Sequence, residues 1–368
     1  MDQPPSLQRV ALRGFRSIRA MDLELGPLNV LIGANGAGKS NFISFFRFMN
    51  KLLDKDLQFY AQQQGGADRI LHFGRKTTDK LEIELRFTLN GYAAVLAPTP
   101  DNRLVFRDEF HAPPGLKPPA KGGDGAYRKR RTRLGRTGAE ESALPKPDIT
   151  TERGRLAAFL ADWKTYHFHD TSDTAKVKGT CSVHDTTRLR SQGENLAAFL
   201  YGIRDTDAYA RIVRTVQRVA PFFHDFVLQP DNSDWIRLRW KHKGSDDYFD
   251  ASMLSDGTLR FICLATLLLQ PRLPTIILLD EPELGLHPYA LQLLGAMMRM
   301  ASTRTQIVAT TQSVTLANEF GWQDIVVVDQ IDNASRFRRL EEQAVGHWLE
   351  DYRVGEIWEM NLLGGNPA

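Results

Sequence analysis

The pattern of apolar and polar residues predicts an antiparallel sheet near the start of the chain. Residues 7–13 and 21–25 have the character of strands, and residues 81–89 alternate apolar and polar side chains throughout. A strand that packs one face on a core and exposes the other shows this alternation. Residues 92–96 and 104–106 continue the pattern. We therefore predict an N-terminal antiparallel sheet.

Apolar runs without alternation predict a second sheet of a different kind. Such runs occupy residues 28–32 and 275–279, and a further buried strand is predicted within residues 306–313. Central parallel strands that are buried on both faces have this composition. Residues 325–329 and 337–340 supply the final strands. The predicted fold class is α/β, with a mixed central sheet flanked by helices.

Helical patterns lie between the two sets of strands. They cover residues 41–49, 153–163, 193–202, 205–220 and 261–269. The first is amphipathic and directly follows an apolar strand and a glycine-rich stretch. The chain contains no sustained a/d heptads, which excludes long coiled-coil arms.

The composition changes between residues 107 and 147. Glycine and proline become frequent, apolar periodicity disappears, and a strongly basic run extends from Arg128 to Arg136. We interpret this stretch as an inserted loop. It is either a solvated surface loop or an arm that contacts the phosphates of DNA or RNA, because clustered arginines release counterions on binding.

These changes predict the organisation of the chain. Residues 1–106 form the first part of the main domain, and residues 107–147 form the basic insertion. Residues 148–245 form a helical middle region, and residues 246–368 complete the main domain.

Overall composition limits the class of protein. The chain has 368 residues, 42% of them hydrophobic, and a formal net charge of +3, so any nucleic-acid surface must be local. Cys181 and Cys263 are its two cysteines, too few for a disulfide framework or a zinc quartet. With no signal peptide recognised, we expect a reducing cytoplasm. The apolar runs are too short to span a bilayer.

The glycine-rich stretch after residues 28–32 has the spacing of a phosphate-binding loop. Residues 33–40 read Gly-Ala-Asn-Gly-Ala-Gly-Lys-Ser, which fits G-x-x-x-x-G-K-[ST] at every fixed position. The glycines allow backbone N–H groups to surround an anion, and the new helix directs its positive end there. Lys39 would contact the β- and γ-phosphates, and Ser40 would bind Mg²⁺.

Two adjacent carboxylates follow the run 275–279, and their chemistry suits a metal ion and an attacking water beside the phosphates. Asp280 lies at the carboxyl end of that strand and would hold Mg²⁺ directly or through water. Glu281 would orient or deprotonate the water that attacks the γ-phosphate. Because both halves occur in one chain, the sequence predicts that ATP and Mg²⁺ are bound.

The order of these motifs resembles one family. Residues 15–18, Phe-Arg-Ser-Ile, precede a G-x-N-G-x-G-K-S-N loop, as in the RecF/SMC-type branch of the ABC ATPases. Nearly the whole chain is similar to stand-alone ATPases of the AAA-21 type, related to the ATPase part of OLD-type defence proteins, with residues 107–147 the poorest match. The resemblance implies a P-loop NTPase fold of ABC/SMC type. It also implies nucleotide contacts by Arg16, Asn35, Gly36, Ala37, Gly38, Lys39, Ser40 and Asn41.

The resemblance extends to the second half of the nucleotide site. Ser255 and Gly257 match the ABC signature, in which a helix N-terminus faces the γ-phosphate held by a second subunit. It therefore implies a dimer with nucleotides between protomers. Asp256 departs from the family, which usually has glycine there. Gln312 stands where the family carries a switch histidine, and because glutamine cannot become cationic, we expect slow hydrolysis.

Three histidines have no assigned role. His167, His169 and His184 could join neighbouring acidic and thiol groups in a metal site, but no standard zinc spacing is present. Polar packing, structural or beside the nucleotide, is the alternative. None of Gln62, Gln63 and Gln64, the candidates for the family's Q-loop glutamine, is assigned.

The resemblance implies a function in three versions. The first is a nucleotide-gated sensor that controls a partner effector, such as a separate Toprim-type nuclease, in bacterial anti-phage defence. The second is a RecF-like DNA-binding ATPase of DNA repair. The third is an assembly scaffold with little turnover.

Overall fold

A computed structural model describes residues 6–88, 90–112, 131–231 and 233–365 of the chain. Among the helices within those ranges, none is both long enough and apolar enough to cross a bilayer. The strands, in chain order, are β1 (Leu7–Phe15), β2 (Ile18–Glu24), β3 (Leu28–Ile32), β4 (Leu81–Phe87), β5 (Gly91–Pro98), β6 (Leu104–Ala112), β7 (Thr132–Arg133), β8 (Trp163–Tyr166), β9 (Thr180–Ser182), β10 (Phe223–Val227), β11 (Trp235–Arg237), β12 (Arg239–His242), β13 (Tyr248–Asp250), β14 (Ile276–Asp280), β15 (Gln306–Thr311), β16 (Ile325–Ile331) and β17 (Ala334–Arg339).

Helices connect these strands. In chain order they are α1 (Lys39–Leu53), α2 (Leu57–Gln63), α3 (Ala67–Ile70), α4 (Glu152–Ala161), α5 (Leu196–Ile203), α6 (Asp207–Val219), α7 (Asp256–Leu269), α8 (Pro288–Ser302), α9 (Val314–Ala317), α10 (Glu342–Val345) and α11 (Val354–Glu359). The chain divides into two compact units. Unit 1 draws on the ranges Met1–Trp163, Trp322–Tyr352 and Ile357–Ala368, and unit 2 on Lys164–Gly321 and Arg353–Glu356.

Unit 1 contains the predicted antiparallel sheet. Its strand order is β2-β1-β4-β5-β6-β7. Along β4 buried and half-buried side chains alternate at every position, as the sequence predicts for a strand with one face on the core. The expected N-terminal sheet is confirmed.

Unit 1 also holds the strand and helix that flank the glycine-rich loop. The strand β3 is buried at every position and pairs in parallel with β16, which pairs antiparallel with β17. Aromatic side chains of α1 form its core face: the rings of Phe42 and Phe46 lie 5.2 Å apart. The ring of Phe46 lies 5.1 Å from that of Trp163. The loop therefore joins two well-packed elements.

The strand β6 extends past the predicted start of the basic insertion. It continues to Ala112, because its buried positions continue beyond Phe106 and it pairs with β5 and β7. Within the described part of the basic run, Arg131 Nη2 lies 3.2 Å from Glu84 Oε2. Arg133 Nη2 lies 3.1 Å from Asp108 Oδ1. Arg128 lies outside the described residues. The described arginines therefore include side chains that form ion pairs along this sheet.

Unit 2 contains the second group of strands and the helix of the predicted signature. The strands β14 and β15 pair in parallel, as their apolar runs predict. The helix α7 is buried from Phe261 to its end at Leu269. Small antiparallel pairings, β10-β12-β13 and β11-β9, occupy the middle of the chain.

Helix boundaries in the middle of the chain differ from the prediction. The helix α4 ends at Ala161, whereas the apolar pattern predicted a helix to residue 163. Trp163 instead begins β8 and is fully buried, because its ring packs against Phe46. Tertiary packing thus sets the end of this helix. The four-part division of the chain at residues 106, 147 and 245 stays a prediction.

Candidate nucleotide site

The loop of residues 33–38 depends on glycine conformations that other residues rarely adopt. Gly36 has φ 81° and Gly38 has φ 109°. A methyl group at Gly38 would lie 1.9 Å from Ser335 Oγ and 2.7 Å from Ser17 Oγ. A methyl group at Gly36 would meet nothing within 4 Å among the described residues. Gly38 is therefore required by close packing, and Gly36 by its backbone conformation alone.

Lys39 is buried at the start of α1, with 4% of its surface exposed. Its Nζ donates hydrogen bonds to the carbonyl oxygens of Gly33 and Ala34, the second at 2.9 Å. The N-cap residue of α1 is Gly38, which has no side chain to cap the helix. The amine and the N-terminus of α1 both direct positive charge toward the loop, an arrangement that favours an anion.

A hydroxyl pair supports the loop from the antiparallel sheet and β17. Ser335 Oγ donates to Ser17 Oγ at 2.6 Å, and Asn41 Nδ2 donates to the same oxygen at 2.7 Å. This arrangement explains why Gly38 has no room for a side chain. Sequence reasoning missed Ser17 and Ser335, although Ser17 lies within the quoted Phe-Arg-Ser-Ile stretch.

Arg16 has a fixed place beside this hydroxyl pair. Its backbone has φ 47°, and its N–H donates to the Ile70 carbonyl at 2.8 Å. Its guanidinium donates from Nη2 to Gln64 Oε1 at 2.7 Å. Gln64, one of the glutamines left unassigned, thus contacts a predicted nucleotide residue. Burial leaves Arg16 Nε without a hydrogen-bond partner among the described residues.

In unit 2, the carboxylates lie at the carboxyl end of β14. Thr310 Oγ1 donates to Asp280 Oδ1 at 2.6 Å. The next residue, Glu281, has φ 47°, and its N–H donates to the carbonyl of Thr310 at 3.1 Å. A left-handed backbone is uncommon for a residue with this side chain, and it persists only where the surroundings enforce it. Here, Thr310 of the neighbouring strand holds both carboxylate residues.

Gln312 joins the same group of residues. Its side-chain Nε2 donates to Glu281 Oε1, and its backbone N–H donates to Glu283 Oε1 at 2.7 Å. The structure therefore brings together Asp280, Glu281 and Gln312, although Gln312 lies 31 residues after Glu281 in the sequence. The neutral amide of Gln312 holds the Glu281 carboxylate by a hydrogen bond rather than by a full charge.

Glu283 is a buried acid next to this group, and sequence reasoning did not select it. Burial raises the pKa of its carboxyl, the nearby Glu281 carboxylate raises it further, and hydrogen bonds from Gln312 and Thr311 oppose the rise. Its second oxygen, Oε2, is buried without a hydrogen-bond partner among the described residues. The sequence does hold one signal for Glu283: it is a third acidic residue, two positions after the adjacent pair Asp280 and Glu281.

We expect replacement of Glu283 by glutamine to change how stability depends on pH. With a folded-state pKa above the unfolded value, the native protein binds more protons, so Glu283 lowers stability as pH rises through the folded pKa. The E283Q variant lacks this decline. Urea denaturation at pH 5 and pH 7 measures the free energy of unfolding. Relative to E283Q, the wild-type value should be lower at pH 7 than at pH 5. The exposed control E350Q should follow wild type, and parallel curves for wild type and E283Q would contradict this account.

The predicted signature forms the N-terminus of α7. Ser255 caps the helix, with its Oγ accepting from the Thr258 N–H at 3.3 Å. A methyl group at Gly257 would lie 2.4 Å from the carbonyl oxygen of Gly285, so the helix start packs closely on the loop after β14. Asp256 is exposed in the first turn.

Arg260 connects this helix to two neighbouring loops by hydrogen bonds. Its guanidinium donates to the carbonyl oxygens of Phe168 at 3.2 Å, His169 at 2.7 Å and Leu284 at 2.9 Å. These hydrogen bonds join the signature helix to the loop after the carboxylates. Sequence reasoning missed Arg260, because nothing in a helical pattern indicates which backbone carbonyls an arginine will reach.

The three histidines gain no metal-binding geometry. The rings of His167 and His169 lie 6.2 Å apart. Within the ranges that the structure describes, no group of three or more His, Cys, Asp or Glu side chains could hold a metal ion. His169 instead supplies a backbone carbonyl to Arg260, and His184 lies in the turn after β9.

A family model assigns the chain. The model, described as "AAA domain, putative AbiEii toxin, Type IV TA system", matches residues 28–318, which include both halves of the candidate site. The chain belongs to this AAA_21 family. The expected membership of the AAA-21 type is confirmed.

A named endonuclease resembles part of this AAA_21 protein. Endonuclease GajA of Bacillus cereus (strain VD045) is 30% identical over 83 residues, which are 23% of this chain. The matched part is only 13% of the length of GajA.

Solved structures of SMC heads share the fold. An SMC head bound to the C-winged helix domain of ScpA has a TM-score of 0.62 and 14% identity, and covers 93% of this chain and 99% of its own. An SMC head with an extended coiled coil, bound to the C-terminal domain of ScpA derived from Pyrococcus furiosus, has a TM-score of 0.57 and 14% identity. It covers 95% of this chain and 99% of its own. The predicted P-loop fold of ABC/SMC type is therefore confirmed.

Proposed function

We propose that this AAA_21 protein binds Mg²⁺ and ATP between two protomers, hydrolyses ATP slowly, and uses this cycle to regulate a partner effector. The buried Lys39 in the first turn of α1, directly after the glycine loop, is the observation that carries the proposal. Such an arrangement favours a polyanion, and the Asp280–Glu281–Gln312 group supplies the chemistry of phosphoryl transfer to water.

In this proposal the loop holds the triphosphate. Backbone N–H groups and side chains of the loop surround the phosphates, and Lys39 pairs with the β- and γ-phosphates. The contacting residues are Asn35, Gly36, Ala37, Gly38, Lys39, Ser40 and Asn41. Arg16, whose guanidinium is braced by Gln64 at 2.7 Å, would face the same nucleotide.

Ser40 and Asp280 would hold Mg²⁺. A hydroxyl and a carboxylate are hard oxygen donors, which suit Mg²⁺ together with water and phosphate oxygens. The bound ion would neutralise charge on the β- and γ-phosphates. Thr310, which donates to Asp280 at 2.6 Å, would keep that carboxylate aimed at the ion.

Glu281 would accept the proton of the attacking water or orient that water. Its carboxylate is held by Gln312, which would also face the γ-phosphate as a hydrogen-bond donor. A neutral amide stabilises growing negative charge less than a cationic imidazole, so turnover should be slow.

Because the signature must act on a nucleotide held by another subunit, we expect two inactive variants to complement each other. K39A removes the amine of one phosphate loop, and S255R blocks one signature. A mixed dimer retains one intact site, built from the loop of the S255R protomer and the signature of the K39A protomer. Random mixing should therefore restore up to about a quarter of wild-type ATPase activity.

The matched control for this experiment is S255T, which keeps a hydroxyl to cap α7. It should hydrolyse ATP almost as wild type does. A mixture of K39A and S255R that is no more active than the better parent would argue against nucleotides shared between protomers.

A separate nuclease is the effector that we favour. Part of the chain resembles an endonuclease named GajA, and the AAA_21 description refers to a toxin system. Anti-phage defence is therefore our proposed setting, in a reducing cytoplasm that fits the free thiols of Cys181 and Cys263. Copurification with the product of a neighbouring nuclease gene tests this partner.

A DNA-repair role gains no support from the described basic run, where Arg131 and Arg133 form ion pairs.

A further inference from the structure

Residues 357–365 in unit 1 follow a course that the proposed function does not explain. Ile357 is fully buried, and Trp358 and Leu363 have only 5% and 4% of their surfaces exposed. Between them, Met360 and Leu362 are 46% and 47% exposed. The segment therefore has an anchored face and a free face. We call residues 357–365 the docking segment.

The anchored face is held by β16 and β17. Arg338 Nη2 donates to the Leu363 carbonyl at 2.7 Å. The N–H of Gly365 donates to Asp329 Oδ1 at 2.6 Å. A hydrogen bond to a charged group is stronger than one between neutral partners, so these bonds fix the course of the chain at residues 363–365.

These bonds place Gly365 directly against the phosphate loop. A methyl group at Gly365 would lie 3.3 Å from the Cα of Gly33 and 3.2 Å from Val327 Cγ1. Gly365 also has φ 82°, a conformation that a side chain would strain. Gly33 also packs closely on β16, because a methyl group on Gly33 would lie 2.2 Å from the Val328 carbonyl oxygen. The first residue of the loop is therefore enclosed by β16 and Gly365.

Gly33 is also the residue whose carbonyl oxygen accepts from Lys39 Nζ. A displacement of Gly33 would thus change both the path of the loop and the placement of its amine. We propose that the docking segment is a positioning element for nucleotide binding: contact between Gly365 and Gly33 holds the phosphate loop in the form that receives the triphosphate. This inference rests on the proposed function, because it assigns the loop to ATP.

Two consequences separate positioning from simple structural support. An element that only stabilises the fold would lower the melting temperature without changing the affinity of folded protein for ATP. A positioning element must change affinity, and by linkage ATP must in turn strengthen docking. Because Gly365 lies next to the phosphate loop, its replacement should weaken binding of inorganic tripolyphosphate as much as binding of ATP.

The test compares G365A with L362A in the full chain. G365A strains the docked backbone at the contact with Gly33, whereas L362A alters the exposed face of the same segment. We expect G365A to weaken binding of ATP and of tripolyphosphate by about tenfold, and to raise KM with little change in kcat. L362A should bind both as wild type does. Both variants are examined at a temperature where thermal melting shows them folded.

A second measurement needs no substitution in the docking segment. Amide hydrogen exchange of wild type should slow at residues 357–365 when ATP is added, and K39A should show no such protection. Unchanged exchange, together with wild-type ATP affinity for G365A, would overturn the inference while leaving the proposed function intact. Wild-type protein that binds no ATP at all would instead overturn the proposed function.

Discussion

Replacement of Lys39 by alanine is expected to weaken ATP binding by about a hundredfold or more. The amine is buried and donates to two loop carbonyls, so these hydrogen bonds fix its position beside the loop. Its loss removes a charge-assisted contact to the phosphates, and no other lysine follows the loop in α1 before Lys51. Titration with a fluorescent ATP analogue, competed with ATP, measures the effect.

The control on the same helix is K51M. Lys51 lies in the last turn of α1, where its Nζ contacts Asp56 at 2.8 Å on the surface. This variant keeps the helix and changes the overall charge by the same amount, so it should bind ATP as wild type does. Equal affinity of wild type and K39A would show that the loop does not hold the triphosphate.

The second large effect is expected at Glu281. E281Q keeps the size of the side chain and its hydrogen bond to Gln312, but it can no longer accept a proton. We expect ATP hydrolysis to fall by at least about a hundredfold while ATP affinity stays near that of wild type. Release of phosphate under saturating ATP, with the affinity measured in parallel, separates chemistry from binding.

A control for charge in this assay is D256N, which neutralises an exposed carboxylate in the first turn of α7. It should reduce hydrolysis little, because an exposed carboxylate can turn toward solvent. If E281Q hydrolysed ATP at the wild-type rate, another group would have to activate the water. If it lost ATP binding as well, Glu281 would belong to the binding site rather than to the chemistry.

The sequence predicts those parts of the site that depend on local pattern. The strand β3 spans Leu28–Ile32 as expected, and the glycine spacing that follows identifies Lys39 and Ser40. The apolar run before Asp280 likewise identifies a buried strand that ends in carboxylates. In each case the pattern and the chemistry lie next to each other in the chain, so no knowledge of tertiary contacts is needed.

Contacts between distant residues are not predictable in this way. Ser17 and Ser335 meet 318 residues apart, behind Gly38, and neither serine has a pattern that selects its partner. The same holds for Arg260, which reaches carbonyls 92 and 24 residues away. Backbone carbonyls are present at every position, so only the folded chain shows which of them an arginine contacts.

The tail of the chain illustrates the same limit. Gly364 and Gly365 have positive φ angles of 74° and 82°, in a segment that hydrogen bonds to Arg338 and Asp329 anchor. Glycine is used there for its conformation and its small size, not for flexibility. Composition alone cannot distinguish these uses, because both require a residue without a side chain.

The most direct test of the central proposal is a crystal structure of E281Q with Mg²⁺ and ATP. We predict Lys39 Nζ about 3 Å from β- and γ-phosphate oxygens, and Mg²⁺ about 2.1 Å from Ser40 Oγ. We also predict that Asp280 contacts the same ion directly or through one water. ATP bound in the loop with the Asp280 carboxylate too far from the ion for one bridging water would contradict the account.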